Sequence, residues 1–374
     1  MNNSSNAFFY IGFCMTIIIL LRGQTNWLFP HIIDVFLYYG AIIILFFHFI
    51  FNIQRFNPSI IIMALILLPI LLIIGKNTEQ TYRLISTFLI VVGSIKINYY
   101  SILKKYWVVS VIFCLCTVCG SYFGFVKGLK AEAGLLDRMS ISSLGLRYSF
   151  GYAWATDFAS HIFFLILVYW NICKGVFNTY RFLIISLIVI FCSYYTDTRL
   201  SLLLCLIILI FSLIINNNPK IYYNKNIYRI CIAIVILSPI IAFALVVLFD
   251  PLNPFWEILN LLLSGRLSLC SNAIYEEGFC WFGQKVIMVG SGQDEATNYI
   301  DISYIQLAII FGFIYLCILI LIHISIVIKS YLERDIVTSI SIALVSIEAL
   351  IAQHYGMIEF CPLLLYLLSK KNED

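Results

Sequence analysis

Apolar runs of about 15 to 25 residues recur from one end of the chain to the other, broken by short polar stretches. Each is long enough to cross a hydrocarbon core of roughly 30 Å as a helix. Runs such as Ile60 to Ile74 and Leu200 to Ile215 alternate nowhere, which excludes a transmembrane barrel of alternating strands. Within a bilayer the backbone must satisfy its own hydrogen bonds, and helices do so segment by segment. The pattern predicts about twelve spans, at roughly 7–21, 32–51, 60–75, 82–95, 106–123, 155–172, 181–196, 199–215, 230–249, 301–328, 336–352 and 356–368. The expected fold is an all-α, polytopic membrane helix bundle, with residues 1–374 forming a single integral membrane domain.

The distribution of cations orients the bundle. With a cytoplasmic N-terminus, Arg55, Lys96, Lys104, Lys105, Lys174, Arg181, Lys220, Lys225, Arg229, Lys329, Arg334, Lys370 and Lys371 all fall on the cytoplasmic side. The short outer loops then keep only Arg22, Lys76, Arg83 and Arg199, as the positive-inside rule requires, so both termini are expected in the cytoplasm. The N-terminus lacks a basic leader and a small-residue cleavage site, so Ala7 to Leu21 reads as a retained first span.

Two connections are too long to be turns, Gly124 to Trp154 and Asp250 to Ile300, and both fall on the outer face. The cytoplasmic connections are short. They hold no Walker motif, no dinucleotide glycine pattern and no acidic pair for a metal-nucleotide, so the chemistry is expected outside, without soluble nucleotide, metal or cofactor.

Composition sharpens this picture. Hydrophobic residues make up 62% and charged residues 11%, with a mean hydropathy of +0.99, against about 25% charged in an ordinary soluble domain. The net charge of +4 is dispersed at span ends and forms no basic stripe, so no nucleic acid partner is expected. Most of the 12 Cys lie inside spans as small apolar fillers, including the Cys116–Cys119 pair; Cys270 and Cys280 share one outer loop, where a disulfide could form.

The candidate chemistry clusters at the outer ends. The first long loop closes on the segment Gly145 to His161, where Arg147 stands among Tyr148, Tyr152 and Trp154. A guanidinium suits phosphate oxygens and aromatic faces suit sugar rings, although an interfacial aromatic belt with an Arg at the headgroups has the same composition. Asp157 and His161 sit four residues apart, on one helix face. Arg199 opens an otherwise apolar span after a tight turn, with Asp197 as a local ion-pair partner in the structural alternative. In the second long loop, Ser264 reads as a helix N-cap with Arg266 in the first turn, a poor place for a cation unless an anion is shared there; the alternative is an amphipathic helix snorkelling its Arg. A glycine-rich turn follows at Gly290 to Gly292. Asp301 and Tyr304 then open a long span, Asp301 as a candidate general base or as an N-cap. Glu348, His354 and Glu359 fall at the outer ends of the last two spans and could face the same cavity.

Together these features resemble the Wzy-type surface-polysaccharide polymerases, which share an ancestral plan with the O-antigen ligases. The matching parts are the span count, Arg147 followed by Gly151 and Tyr152, the turn from Thr196 to Ser201, the motif Ser264, Gly265 and Arg266, and Asp301 to Tyr304 with Gly312 after it. The resemblance implies a GT-C-like, metal-independent glycosyltransferase that moves a growing glycan from polyprenyl diphosphate onto an incoming lipid-linked repeat unit. Donor and acceptor would both be polyprenyl-diphosphate-linked glycans, in contact with membrane lipid in the bacterial cytoplasmic membrane. A repeat-unit flippase and a chain-length regulator are implied as partners. Arg147, Arg199 and Arg266 would hold the diphosphate, since convergent guanidinium groups stabilise a departing anion where a metal otherwise would. A carboxylate would take the acceptor's hydroxyl proton; the ligases carry a His where this chain has Asp301. Tyr148, Tyr152, Trp154, Asp157, His161, Tyr304, Glu348 and His354 would bind substrate. Two other readings stand beside this one, an O-antigen ligase and a flippase for lipid-linked oligosaccharides. A transporter is expected to bury charge near the midplane and to show two similar halves, which the polar, unequal outer loops do not suggest.

Overall fold

The computed structural model of the protein describes residues 2–52, 54, 56–128, 130–132, 146–288 and 299–371. Arg55 and the turn at Gly290 to Gly292 lie outside them. Among the described residues the regular structure is helical apart from one two-stranded ribbon. The helices are α1 (Asn2–Arg22), α2 (His31–Phe51), α3 (Pro58–Thr78), α4 (Thr81–Gly93), α5 (Tyr99–Tyr122), α6 (Ala155–Ile172), α7 (Thr179–Thr196), α8 (Arg199–Asn217) and α9 (Lys225–Val247), followed by α10 (Pro254–Leu262), α11 (Arg266–Glu277), α12 (Ser303–Gln306), α13 (Phe313–Leu332) and α14 (Ile336–Glu348). Strands β1 (Lys130–Glu132) and β2 (Leu146–Tyr148) pair antiparallel, with Ala131 opposite Arg147.

Eight of these helices, α2, α3, α5 to α9 and α13, are long and apolar enough to cross a membrane. The chain is therefore an all-helical, multi-pass membrane protein, and its burial pattern agrees. Large apolar side chains such as Leu65, Leu187, Ile210 and Ile240 are more than half exposed, as lipid-facing residues must be. The helix α6, by contrast, is enclosed on nearly every face and packs against α5, α7, α8 and α14. The four helices α5, α7, α9 and α14 begin at one end of the bundle. Each is started by an Asn or Asp whose side chain accepts an early backbone N–H: Asn98, Asn178, Asn224 and Asp335.

Three expected spans differ. Residues 82–95 form only the 13-residue α4. The span at 301–328 is broken: α12 runs into a π-helical turn at Leu307–Phe311, then stops at Gly312 (φ +88°) before α13. Loop residues meet the orphaned backbone groups at this break, where the Phe313 N–H donates to the Cys280 carbonyl (3.0 Å) and the Gln284 N–H to that of Ile310 (2.9 Å). A helix that continued through 312 would leave this loop without partners.

The third difference is larger. The stretch read as a twelfth helical span is not an α-helix. After α14, whose 13 residues rise about 20 Å, the chain turns and travels back through the protein interior, with only a 3₁₀ segment at Pro362–Leu367. It ends beside the start of α5, where the Lys370 N–H donates to Ile97 (2.8 Å) and the Tyr99 N–H to Lys370 (3.0 Å). Gly356 (φ +79°) and Pro362 are incompatible with a continuous helix here. Other helices supply the missing donors: the Tyr106 hydroxyl to the carbonyls of Glu359 and Phe360, and the Lys329 ammonium to those of Tyr366 and Ser369 (2.7 Å each). Unwound backbone is tolerated at membrane depth when protein surrounds it.

Candidate functional site

At the end of the bundle where α6 begins, a cavity of about 130 Å³ is bounded by β2, the α7–α8 turn, the α10–α11 turn, the approach to α12 and the turn after α14. Arg147, Arg199 and Arg266 all face it, as do Asp157, Asp197, Asp301 and His354. Residues as far apart in the chain as Arg147 and Asp301 thus bring three guanidinium groups and three aspartates to one space.

Each arginine is held differently. Arg147 projects from β2 to the C-terminal end of α7. Its Nε donates to the Thr196 carbonyl (2.8 Å) and an Nη to that of Asp197 (3.5 Å), so it satisfies carbonyls that a helix end leaves open. Asp197 (φ +48°) turns the chain there, and α8 starts two residues later with Arg199. The alternative Arg199–Asp197 ion pair does not form: the Arg199 side chain makes no hydrogen bond or salt bridge to any described residue, and it lines the open cavity. Arg266 begins α11 and pairs through Nε with Asp301 Oδ2 (3.0 Å), while Nη1 donates to the Leu263 carbonyl (3.2 Å).

The cap of α11 also departs from expectation. Gly265 (φ +80°), not Ser264, is the N-cap residue, and Ser264 itself takes a positive φ of 56°. The early amides of α11 are instead satisfied by Asn260 of α10, whose Oδ1 accepts from Leu267 (3.0 Å) and Ser268 (3.2 Å). Asn260 also accepts at its own carbonyl from Gly265 (2.8 Å). This α10–α11 corner fixes Arg266 at the cavity edge. Nor is Asp301 an N-cap; Ile302 occupies that position, and the carboxylate turns to Arg266.

Deeper in, His354 lies between two carboxylates. Its Nδ1 is 3.0 Å from Glu348 Oε1 and its Nε2 is 3.3 Å from Asp157 Oδ1, and all three side chains are buried. The two flanking carboxylates favour the protonated form of the ring. Asp157 also stands in the first turn of α6, where the helix dipole favours an anion. Glu348 sits one layer behind the cavity wall, at the end of the short α14, and so is deeper than the outer end of a full-length span.

Of the remaining candidates, Tyr152, His161 and Tyr304 are buried and Tyr148 and Trp154 are half-buried. Tyr148 packs edge-on against Tyr195 (5.2 Å). The Tyr152 hydroxyl meets His161 Nδ1 at 2.5 Å, with both side chains buried. The Tyr304 hydroxyl donates to the Ser346 carbonyl (2.9 Å), and Trp154 packs on Tyr299 (5.8 Å). None of them borders the cavity. Glu359 is elsewhere too, in a buried ion pair with Arg83 beside a smaller cavity of about 20 Å³. Sequence reasoning passed over Thr156, Ser160 and Gln353, which do line the main cavity; Ser160 lies three residues after Asp157, and that helical spacing was the available signal. Cys270 and Cys280 are unpaired, so no disulfide links them. Burial pushes the Cys270 thiol up to about 12, with smaller opposing hydrogen bonds from the 301–302 backbone, so it is no nucleophile.

The fold and site together define an all-helical membrane protein with a charged cavity at one end of the bundle. No protein-family model matches the chain, and neither a curated protein nor a solved structure matches it.

Proposed function

We propose that the protein is a GT-C-like membrane glycosyltransferase that polymerises polyprenyl-diphosphate-linked repeat units on the outer face of a bacterial cytoplasmic membrane. Counting the broken helix and the unwound C-terminal return, the chain would make about twelve crossings, with both termini inside. The observation that carries this reading is the meeting of Arg147, Arg199 and Arg266 around one cavity that also holds carboxylates. Departure of a diphosphate needs positive charge fixed in advance, and the attacking hydroxyl needs a proton acceptor. Both kinds of group stand here within one space. A cell lacking the protein is expected to accumulate single lipid-linked repeats accessible on the outer face; accumulation only on the inner face would identify a flippase instead.

Orientation has its own test. In a variant stripped of native cysteines, Tyr275→Cys on the exposed face of α11 should react with an impermeant maleimide in intact cells. Lys220→Cys, in the exposed connection at the other end, should react only after lysis. The reverse pattern would overturn the topology.

A further inference from the structure

We infer that Asp157 is the proton acceptor of the cavity, with His354 and Glu348 as its positioning residues, and that Asp301 serves instead to hold Arg266. This rests on the transferase reading above. Charge decides between the carboxylates. Arg266 and Asp301 already form a neutral pair, so protonating Asp301 would strand a guanidinium with no counter-charge. Asp157 and Glu348 flank a single imidazole, so that buried group holds one more acid than base.

Position points the same way. Asp157 has one face on the cavity and its Oδ1 on His354, so its second oxygen is the one free to meet a hydroxyl from the cavity. Asp197, at the rim, has no hydrogen bond holding its side-chain carboxylate to any described residue. Glu348 Oε2, fully buried and without a hydrogen-bond partner among the described residues, leaves the cluster an open acceptor. In the step itself the acceptor oxygen bonds to the anomeric carbon as that carbon's bond to the diphosphate oxygen breaks. The bonding pair leaves on the diphosphate, and the hydroxyl proton passes to Asp157.

The test uses the purified full-length protein, lipid-linked single repeats isolated from the deletion strain as substrate, and undecaprenyl diphosphate as the binding probe. Asp157→Asn should elongate chains at least 100-fold more slowly while retaining the probe within about twofold of wild type. Asp157→Glu, which keeps the charge, should stay within about tenfold of the wild-type rate. An Asn variant within threefold of wild type would overturn the inference, as would Asn and Glu variants that are equally slow. If the wild-type protein elongates nothing, the polymerase reading itself fails, an outcome distinct from either.

Discussion

Replacing Arg266 with Lys is expected to leave a folded protein that makes single repeats and almost no chains. The guanidinium holds Asp301 with Nε while Nη1 is tied to the Leu263 carbonyl. A lysine ammonium can keep the ion pair as a point charge, but it cannot present a planar fork to a diphosphate at the same time. Removing one such donor at a reacting centre costs about 2.7 to 4 kcal/mol, or roughly a hundredfold or more in rate. Arg199→Lys should behave alike, since no contact with a described residue spends its charge elsewhere. Arg147 is a poorer probe, because it also closes the end of α7 and its loss would mix stability with catalysis. Wild-type chain lengths from both Arg199→Lys and Arg266→Lys, at matched membrane levels, would sink the diphosphate-clamp reading and leave these residues as interfacial anchors.

Gly312→Ala should be the most damaging single-methyl change in the protein. A Cβ there would lie 2.4 Å from the Trp281 carbonyl oxygen and 2.8 Å from the Gly283 nitrogen, both backbone atoms, at a φ of +88°. The backbone strain costs roughly 1–3 kcal/mol, and overpacking adds roughly 1–3 more. Moving the loop would in turn break its bonds to Phe313 and Ile310. Gly124→Ala is the comparison, with a similar φ of +79° and nothing within 4 Å of the added methyl. Thermal unfolding followed by size-exclusion chromatography in detergent should show a much lower midpoint for Gly312→Ala than for Gly124→Ala. Equal midpoints would mean that the loop does not brace the break.

Why were some features legible in the sequence and others not? The end of α6 follows from the apolar run that closes before Lys174 and Gly175, although its first two turns carry Thr156, Asp157, Ser160 and His161, and Arg199 stood out because a cation heading an apolar helix has few stable environments. The return after α14 was opaque. Its composition is that of a span, and the donors that let it unwind, Tyr106 and Lys329, come from distant helices that no local window contains. Aromatic residues are ambiguous for a related reason. Tyr148, Tyr152 and Tyr304 suit a sugar face and a packed core equally well, and here Tyr152 and Tyr304 are buried while Tyr148 lies half-buried against Tyr195. The Ser264 cap was locally sound but displaced by Asn260, which the α10–α11 corner brings within reach.

The unwound return also bears on how the chain is assembled. A helix carries its hydrogen bonds with it and can partition into lipid alone, as soon as it is synthesised. Residues 356–368 cannot, since their carbonyls depend on Tyr106 of α5 and Lys329 of α13. Hosts precede guest in the order of translation. This stretch thus lodges only after α5 and α13 are in place. Because His354 sits in the turn that leads into this return, the charged cluster is completed only after α14 has been made.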